Sequence, residues 1–251
     1  MVLDKAKNTW PVLDDVARLP VNEVLVFAVP FNETGLTYDA MMRLLPAEEQ
    51  QRAERIQFDR PRRQFVATRA ALRTLVGRLL SVPPAKVELT VDAHGKPHLE
   101  NGDAGSKMGF NVAHSGELGL IAMALGCDVG VDVEAMREVT HLERIARRYF
   151  HASESEAVEA RRSFDRARAF LRCWTGKEAV VKSLGMGLTE SLSRFCVPIV
   201  ADDGIWIDVP SQNAATSARV WLQSLALEDE YLAAVACVGE QRRAGCFTFR
   251  W

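Results

Sequence analysis

Two stretches of the chain carry apolar residues at helical spacing and occupy matching points of its two halves. "FVATRAALR" (65–73) and "WTGKEAVVK" (174–182) share one plan: an aromatic, two residues, Thr or Lys, Arg or Glu, Ala, two residues, then Arg or Lys, at an offset of 109 positions. Their period predicts an amphipathic helix at each. Downstream, "VELTVDAHGKPHL" (87–99) and "FCVPIVADDGIWIDV" (195–209) predict strand, glycine turn and strand, with Gly95 and Gly204 again 109 apart. "GLIAMA" (119–124) matches "YLAAVA" (231–236) at an offset of 112, and each half opens on a strand-like run, "EVLVFAV" (23–29) and "DVGVDVE" (128–134). The preserved order predicts an α+β fold of two similar halves, residues 1–125 and 126–251, divided near Gly126. Lobes of this kind bind ligands in the cleft between them.

Within this plan "LIAMALGCDVGVDVE" (120–134) reads as an apolar run, a turn at Gly126 to Asp128 and an alternating run, and predicts a β-hairpin. Val129, Val131 and Val133 share one face of the second strand. Gly130, Asp132 and Glu134 share the other, with same-face neighbours about 7 Å apart. Two carboxylates therefore project side by side, although an isolated D-x-E also fits an ordinary acidic solvent face. Glu178 is less ordinary. Leu171, Trp174 and Val181 lie 7 and 4 residues before it and 3 after, so it belongs to the apolar stripe of its helix. A lone ionised carboxylate there costs several kcal/mol. An i,i+4 pair with Lys182 returns only about 0.2–0.5 kcal/mol. A Mg²⁺ ion held jointly by Asp132, Glu134 and Glu178 accounts for all three acids, because this hard cation prefers oxygen donors. Lys177 and Lys182 would then face substrate phosphates.

Composition narrows the class without changing the picture. A chain of 251 residues, 48% hydrophobic and 25% charged with net charge -2, reads as an ordinary globular protein rather than a disordered, fibrous or membrane one. "MVLDKAKNTWPVLDD" has no apolar signal core, and no run approaches the roughly 18 apolar residues of a membrane span, so a cytoplasmic protein is expected. Five scattered cysteines without a C-x-x-C pair point to reduced thiols rather than disulfides or zinc. Arg52, Arg55, Arg60, Arg62, Arg63, Arg69, Arg73 and Arg78 fall in one segment. They make either an anion site or a solvated face balanced by Glu48, Glu49, Glu54 and Asp59. No nucleic-acid-binding signature accompanies them. In "FNVAHSGE" (110–117), His114 and Ser115 fall on opposite faces of a strand, which argues against a nucleophile and its base. His114, and Lys96 of "HGKP", read as phosphate-contacting donors or as ordinary loop residues.

The ordered set "GKP", "FNVAHSG", "GVDVE" and "WTGKEAVVKSLGMGL" resembles the larger, monomeric class of 4'-phosphopantetheinyl transferases, the type that activates peptide synthetases, polyketide synthases and related carrier proteins; the likeness spans roughly residues 43–190. It implies two α+β halves related by a pseudo-twofold axis, with coenzyme A and Mg²⁺ between them. By motif, Asp132, Glu134 and Glu178 correspond to metal ligands, and Glu178, Lys182 and Asp132 to the catalytic set. Lys96, Pro97, His114, Lys177 and Lys182 fall on the coenzyme side, with Asp132 beside them. Arg69 resembles a basic residue near the 3'-phosphate, and Arg52 matches more weakly. Ala113 departs from the family, which commonly has Ser before this histidine.

The implied reaction is attack by the serine hydroxyl of an apo acyl or peptidyl carrier protein on the pantetheine-side phosphorus of coenzyme A, releasing 3',5'-ADP. The carrier footprint is expected within residues 135–170, around Met136, Tyr149 and Phe150, with Arg137, Arg144, Arg147 and Arg148 steering an acidic partner or forming a solvated helix face. A monomer without nucleic-acid or membrane partners is expected. Two rivals remain at this point: a metal-dependent phosphodiester hydrolase, which also uses D-x-E with a lysine, and a non-catalytic coenzyme A-binding module.

Overall fold

The computed structural model describes residues 10–13, 16–32, 35–91, 97–99, 108–186, 192–200, 203–210 and 216–251. The first half runs β1 (Glu23–Pro30), α1 (Tyr38–Met42), α2 (Ala47–Arg55), α3 (Asp59–Leu80), β2 (Leu89–Val91), β3 (Pro97–Leu99), β4 (Met108–Ser115) and β5 (Leu118–Leu125). The second runs β6 (Val129–Ala135), α4 (Leu142–Tyr149), α5 (Ala152–Glu159), α6 (Ser163–Ser183), β7 (Ile205–Pro210), β8 (Ser217–Leu225), β9 (Tyr231–Val238) and β10 (Arg243–Thr248).

Two four-stranded sheets have the orders β10-β1-β5-β4 and β6-β9-β8-β7, and β2 pairs with β3. The duplication is visible in the connections. In the first half β1, α3, β4 and β5 build the order β1-β5-β4, and in the second β6, α6, β8 and β9 build β6-β9-β8. The fold is α+β in two similar halves.

β5 is apolar without alternation because both of its faces are covered. Ile121 and Met123 pack with Leu72, Leu75 and Val76 of α3, while Leu120, Ala122 and Ala124 pack with Val129, Val131 and Val133 of β6. On the far side of the second sheet, Leu171 and Val180 of α6 lie with Leu222, Ala234 and Ala236. Each fully buried aliphatic side chain of this kind stabilises the fold by about 1.5–3 kcal/mol.

Three expectations change. Residues 120–134 are not a hairpin: β5 pairs with β1 and β4, whereas β6 pairs with β9 in the other sheet. Gly126, at φ +81°, turns the chain from one sheet to the next. The apolar faces of β5 and β6 bury one another between the sheets, which a hairpin in one sheet would not allow. Residues 195–200 form no strand, because their backbone serves a buried charge pair: Phe195 O accepts from Lys177, and the Val197 N–H donates to Glu154. The end of the chain does not stay in the second half, since β10 lies parallel to β1 and completes the first sheet.

Candidate active site

The site begins with a glycine. A Cβ on Gly130 would lie 2.0 Å from Ala179 O and 2.4 Å from Ser183 N, so only glycine lets α6 settle directly on β6. That close approach aims the last turns of α6 at the β6 face bearing Asp132 and Glu134. Lys182 Nζ donates to Asp132 Oδ1 at 2.7 Å, and Glu178 is buried beside them at 4% exposure. The two periodicities, 2 on the strand and 3.6 on the helix, converge as read from the sequence.

Neighbouring β4 steadies this strand from the first half. Asn111 Oδ1 accepts from the Val131 N–H at 3.0 Å, and Ser115 Oγ accepts from the Ala135 N–H at 3.1 Å while donating to Glu134 Oε2 at 2.9 Å. Glu134 Oε2 also receives Arg137 Nη1 at 2.6 Å. Asn111, Ser115 and Arg137 were not foreseen as site residues. Ser115 lies in the quoted motif, but the direction of its hydroxyl depends on β6, 20 residues on in the chain.

Electrostatics mark the acids as a strained set. Burial, with Glu134 adding to it, raises Asp132 to about 6 despite the opposing Lys182 ammonium. Burial first and the Asp132 charge second raise Glu178 to about 7. Asp132 Oδ2 and Glu178 Oε1 are buried without a hydrogen-bond partner. Two unsatisfied carboxylate oxygens, with like charge around them, fit a hard divalent cation. The donor set is not preassembled, however: among the described residues no three His, Cys, Asp or Glu side chains are placed to hold an ion together. Lys182 occupies one oxygen of Asp132, and Ser115 with Arg137 occupies one of Glu134.

His114 borders the cluster. Desolvation by the surrounding protein, then the Lys182 ammonium, pulls its pKa below the ordinary value, although the ring keeps a solvent-facing side. Phe31 meets it edge-on at 6.5 Å. Pro97 is buried in β3, whose small sheet adjoins β4, and Lys96 lies outside the described residues. In the first half, Arg52 and Arg69 both lie over the Phe65 ring, at 5.3 and 5.8 Å. Arg69 is buried; desolvation pulls its pKa down, Glu49 opposes this, and Arg73 and Arg52 add to it. Glu49 pairs with its Nε at 3.3 Å, while Nη1 is buried without a partner. A buried guanidinium N–H without an acceptor is suited to an anionic oxygen.

Lys177 does not face phosphates. It is wholly buried, its ammonium held by Leu192 O and Phe195 O at 2.6 Å each and by Glu154 at 2.8 Å, with the Phe195 ring 4.4 Å away. One residue is a 100° step around the helix, which carries Lys177 from the acid cluster into the core. Phe150 is likewise core, stacked on Phe170 at 5.0 Å, and is not a surface contact.

The second half thus carries a cluster of carboxylates with a lysine, and the first half carries the buried Arg69 beside the exposed Arg52. The family profile described as the 4'-phosphopantetheinyl transferase superfamily matches residues 128–236, and that for the N-terminal part of 4'-phosphopantetheinyl transferases matches residues 31–125. The chain is 30% identical over 235 residues, 93% of its length and 95% of the relative's, to the 4'-phosphopantetheinyl transferase HetI of Nostoc sp.. It is 26% identical over 183 residues to the 4'-phosphopantetheinyl transferase of Bacillus subtilis, covering 73% of this chain and 79% of the relative. The chain belongs to the 4'-phosphopantetheinyl transferases of the larger type, enzymes that transfer 4'-phosphopantetheine from coenzyme A to carrier proteins. Hydrolase and passive binding module both give way to the transferase.

Proposed function

We propose that transfer takes place at the cluster of Asp132, Glu134, Glu178 and Lys182, with the half formed by residues 1–125 holding the 3'-phosphate side of coenzyme A and the half from 126–251 holding the reacting end. The observation that carries this reading is the pair of buried, unpartnered carboxylate oxygens on Asp132 and Glu178 beside the Lys182 ammonium. Asp132, Glu134 and Glu178 would hold Mg²⁺, which when bound neutralises pyrophosphate charge.

Glu178, raised to about 7, is matched to accept the proton of the attacking serine hydroxyl near neutral pH. Lys182 turns its ammonium to the oxygen that leaves with 3',5'-ADP, stabilising charge that grows as the bond breaks. Asp132 holds that ammonium in place at 2.7 Å. Ser115 orients Glu134 from the opposite half, so the acids are set only when the halves are together. His114, with its pKa lowered, offers a neutral imidazole N–H to phosphate, and Arg69 Nη1 with Arg52 grips the 3'-phosphate. Pro97, buried in β3, backs the coenzyme side, and a coenzyme contact by Lys96 rests on the HGKP motif alone. Ala113, buried in β4, supplies no hydroxyl, so phosphate contacts there fall to backbone N–H groups and His114.

The acyl or peptidyl carrier docks on residues 135–170. A hollow of about 610 Å³ lined by Met136, Val139, Phe164 and Arg166, with Phe164 60% exposed, supports an apolar contact. His141, Arg144, Arg147 and Arg148, with Glu143 among them, line a second hollow of about 560 Å³ whose excess of positive charge suits an acidic partner. Both lobes come from one chain, which supports a monomer. Free cysteines support cytoplasmic action, and among the described residues no helix is long and apolar enough to cross a membrane.

The test is intact-mass analysis of apo acyl and peptidyl carriers incubated with coenzyme A and Mg²⁺. One phosphopantetheine gained on the carrier serine, lost with EDTA and with Glu178→Gln, is the expected result. Gain that survives both controls overturns the site.

A further inference from the structure

Away from this cluster, the two crossings between the halves bring three side chains together. Cys127 lies in the Gly126–Asp128 crossing, and Cys237 lies near the end of β9. Val129 stands opposite Cys237 in the β6–β9 ladder, and the Val238 N–H donates to Asp128 O at 3.0 Å, so the ladder continues past β6 and sets Cys127 diagonally beside Cys237. Both thiols belong to the apolar cluster between the sheets. Arg242, on the return crossing, is buried at 3% exposure against the same turn, with Nη2 lying 3.8 Å from where a Cβ on Gly126 would stand. Its Nε and Nη2 bind Glu240, and Nη1 is buried without a partner.

These surroundings divide the thiols. The neighbouring Cys237 thiol first, with Arg242 adding to it, pulls Cys127 below its ordinary pKa, while the Cys127 thiol first and burial second push Cys237 up. Burial pushes Cys246 up to about 12 and Cys173 well above the thiol range. An acidified thiol buried under a turn whose flanking residues, Gly126 and Asp128, are exposed, beside a second thiol and a guanidinium, is a setting in which cysteines react with small oxidants.

We propose that Cys127 and Cys237 form an oxidisable dithiol, a modification site at which a peroxide converts the two thiols to a disulfide. The Cys127 thiolate attacks one peroxide oxygen; an S–O bond forms, the O–O bond breaks, and the departing hydroxide leaves as water with the proton Cys127 gave up. The Cys237 sulfur then attacks the Cys127 sulfur; the S–S bond forms, the S–O bond breaks, and the hydroxide leaves as a second water with the Cys237 proton. The sulfurs lose two electrons, and the peroxide gains them. Diagonal neighbours in an antiparallel ladder have Cα atoms about 7–8 Å apart, and a disulfide spans roughly 4.4–6.8 Å. Closing the bond therefore draws the 126–128 crossing onto β9 and ties both crossings together.

The full chain is treated with hydrogen peroxide, its remaining thiols are alkylated, and its peptides are mapped by mass. Two of the five thiols are expected to be lost together with two hydrogens, to appear as one Cys127–Cys237 linked peptide, and to return with dithiothreitol. Cys237→Ser is expected to stop at a dimedone-trapped sulfenic acid on Cys127, and Arg242→Met to slow oxidation about tenfold by raising the thiol pKa. The wild-type map decides even where a variant fails to fold. Both thiols remaining alkylatable while the exposed Cys196 oxidises, or a bridge formed with Cys246 instead, overturns the proposal.

Discussion

Replacing Lys177 by Met separates a structural lysine from a catalytic one. Methionine fills nearly the same volume, so the loss is electrostatic rather than a cavity. The Glu154 carboxylate would remain buried, still accepting from the backbone N–H groups of His151 and Val197, but without its counter-charge. Removing one member of a buried pair costs about 3–5 kcal/mol, a large share of a total stability of roughly 5–15 kcal/mol. With a urea slope of about 2–3 kcal/mol per molar, the unfolding midpoint should fall by roughly 1–2 M. Lys177→Met combined with Glu154→Gln should recover much of that loss, because no lone charge stays buried. Urea titration followed by fluorescence reads the midpoint, and intact-mass assay of carrier loading reads kcat and KM on the folded fraction. An unchanged midpoint with a KM for coenzyme A raised several-fold would refute the reasoning and return Lys177 to the phosphates.

The remaining expectations concern the site itself. In EDTA, stability should fall as pH rises from about 4 to about 7 and then level off, since the folded chain holds protons on Asp132 to about 6 and Glu178 to about 7 that the unfolded chain releases near 3.8 and 4.5. Glu178→Gln should flatten the upper part of that fall, on the order of 2–3 kcal/mol, and equal slopes for the two proteins would contradict it. Gly130→Ala should unseat α6, because its Cβ would stand 2.0 Å from Ala179 O; it should lower the midpoint and abolish carrier loading together. Ser115→Ala removes a hydrogen bond to a charged group worth about 1.5–3 kcal/mol and should lower kcat some tenfold or more with little change in KM for coenzyme A. Arg69→Met should raise KM for coenzyme A about tenfold and leave dephospho-coenzyme A nearly untouched, so equal effects on both substrates would remove Arg69 from the 3'-phosphate.

The acid faces were legible in the sequence because strand and helix periods are local properties. Gly130, Asp132 and Glu134 had to share a side, and Glu178 had to enter an apolar stripe. What could not be read was which strand pairs with which: the alternation in 120–134 looks the same for a hairpin as for two strands in facing sheets. Lys177 was misjudged for a related reason. Phe170, Cys173, Trp174, Val180 and Val181 lie at helical spacings around it, as apolar as the surroundings of Glu178, and that pattern could have flagged its burial. Its partner, Glu154, comes from another helix and left no signal at fixed spacing. The roles of Ser115, Asn111 and Arg137 in holding Glu134 and β6 went unread because a polar side chain acquires its role from the neighbour it happens to face.

The return of β10 to β1 also constrains how the chain is made. β1 gains β5 as one neighbour from its own half, but its other edge waits for a strand that follows the whole second sheet in the chain. Throughout that interval a long apolar strand has an open edge, the feature through which sheets recruit wrong partners. Residues Arg243–Thr248 therefore act as a completion seal: a chain that stalls or is clipped just after β9 keeps every residue of the acid cluster, yet exposes the sheet on which the first half depends.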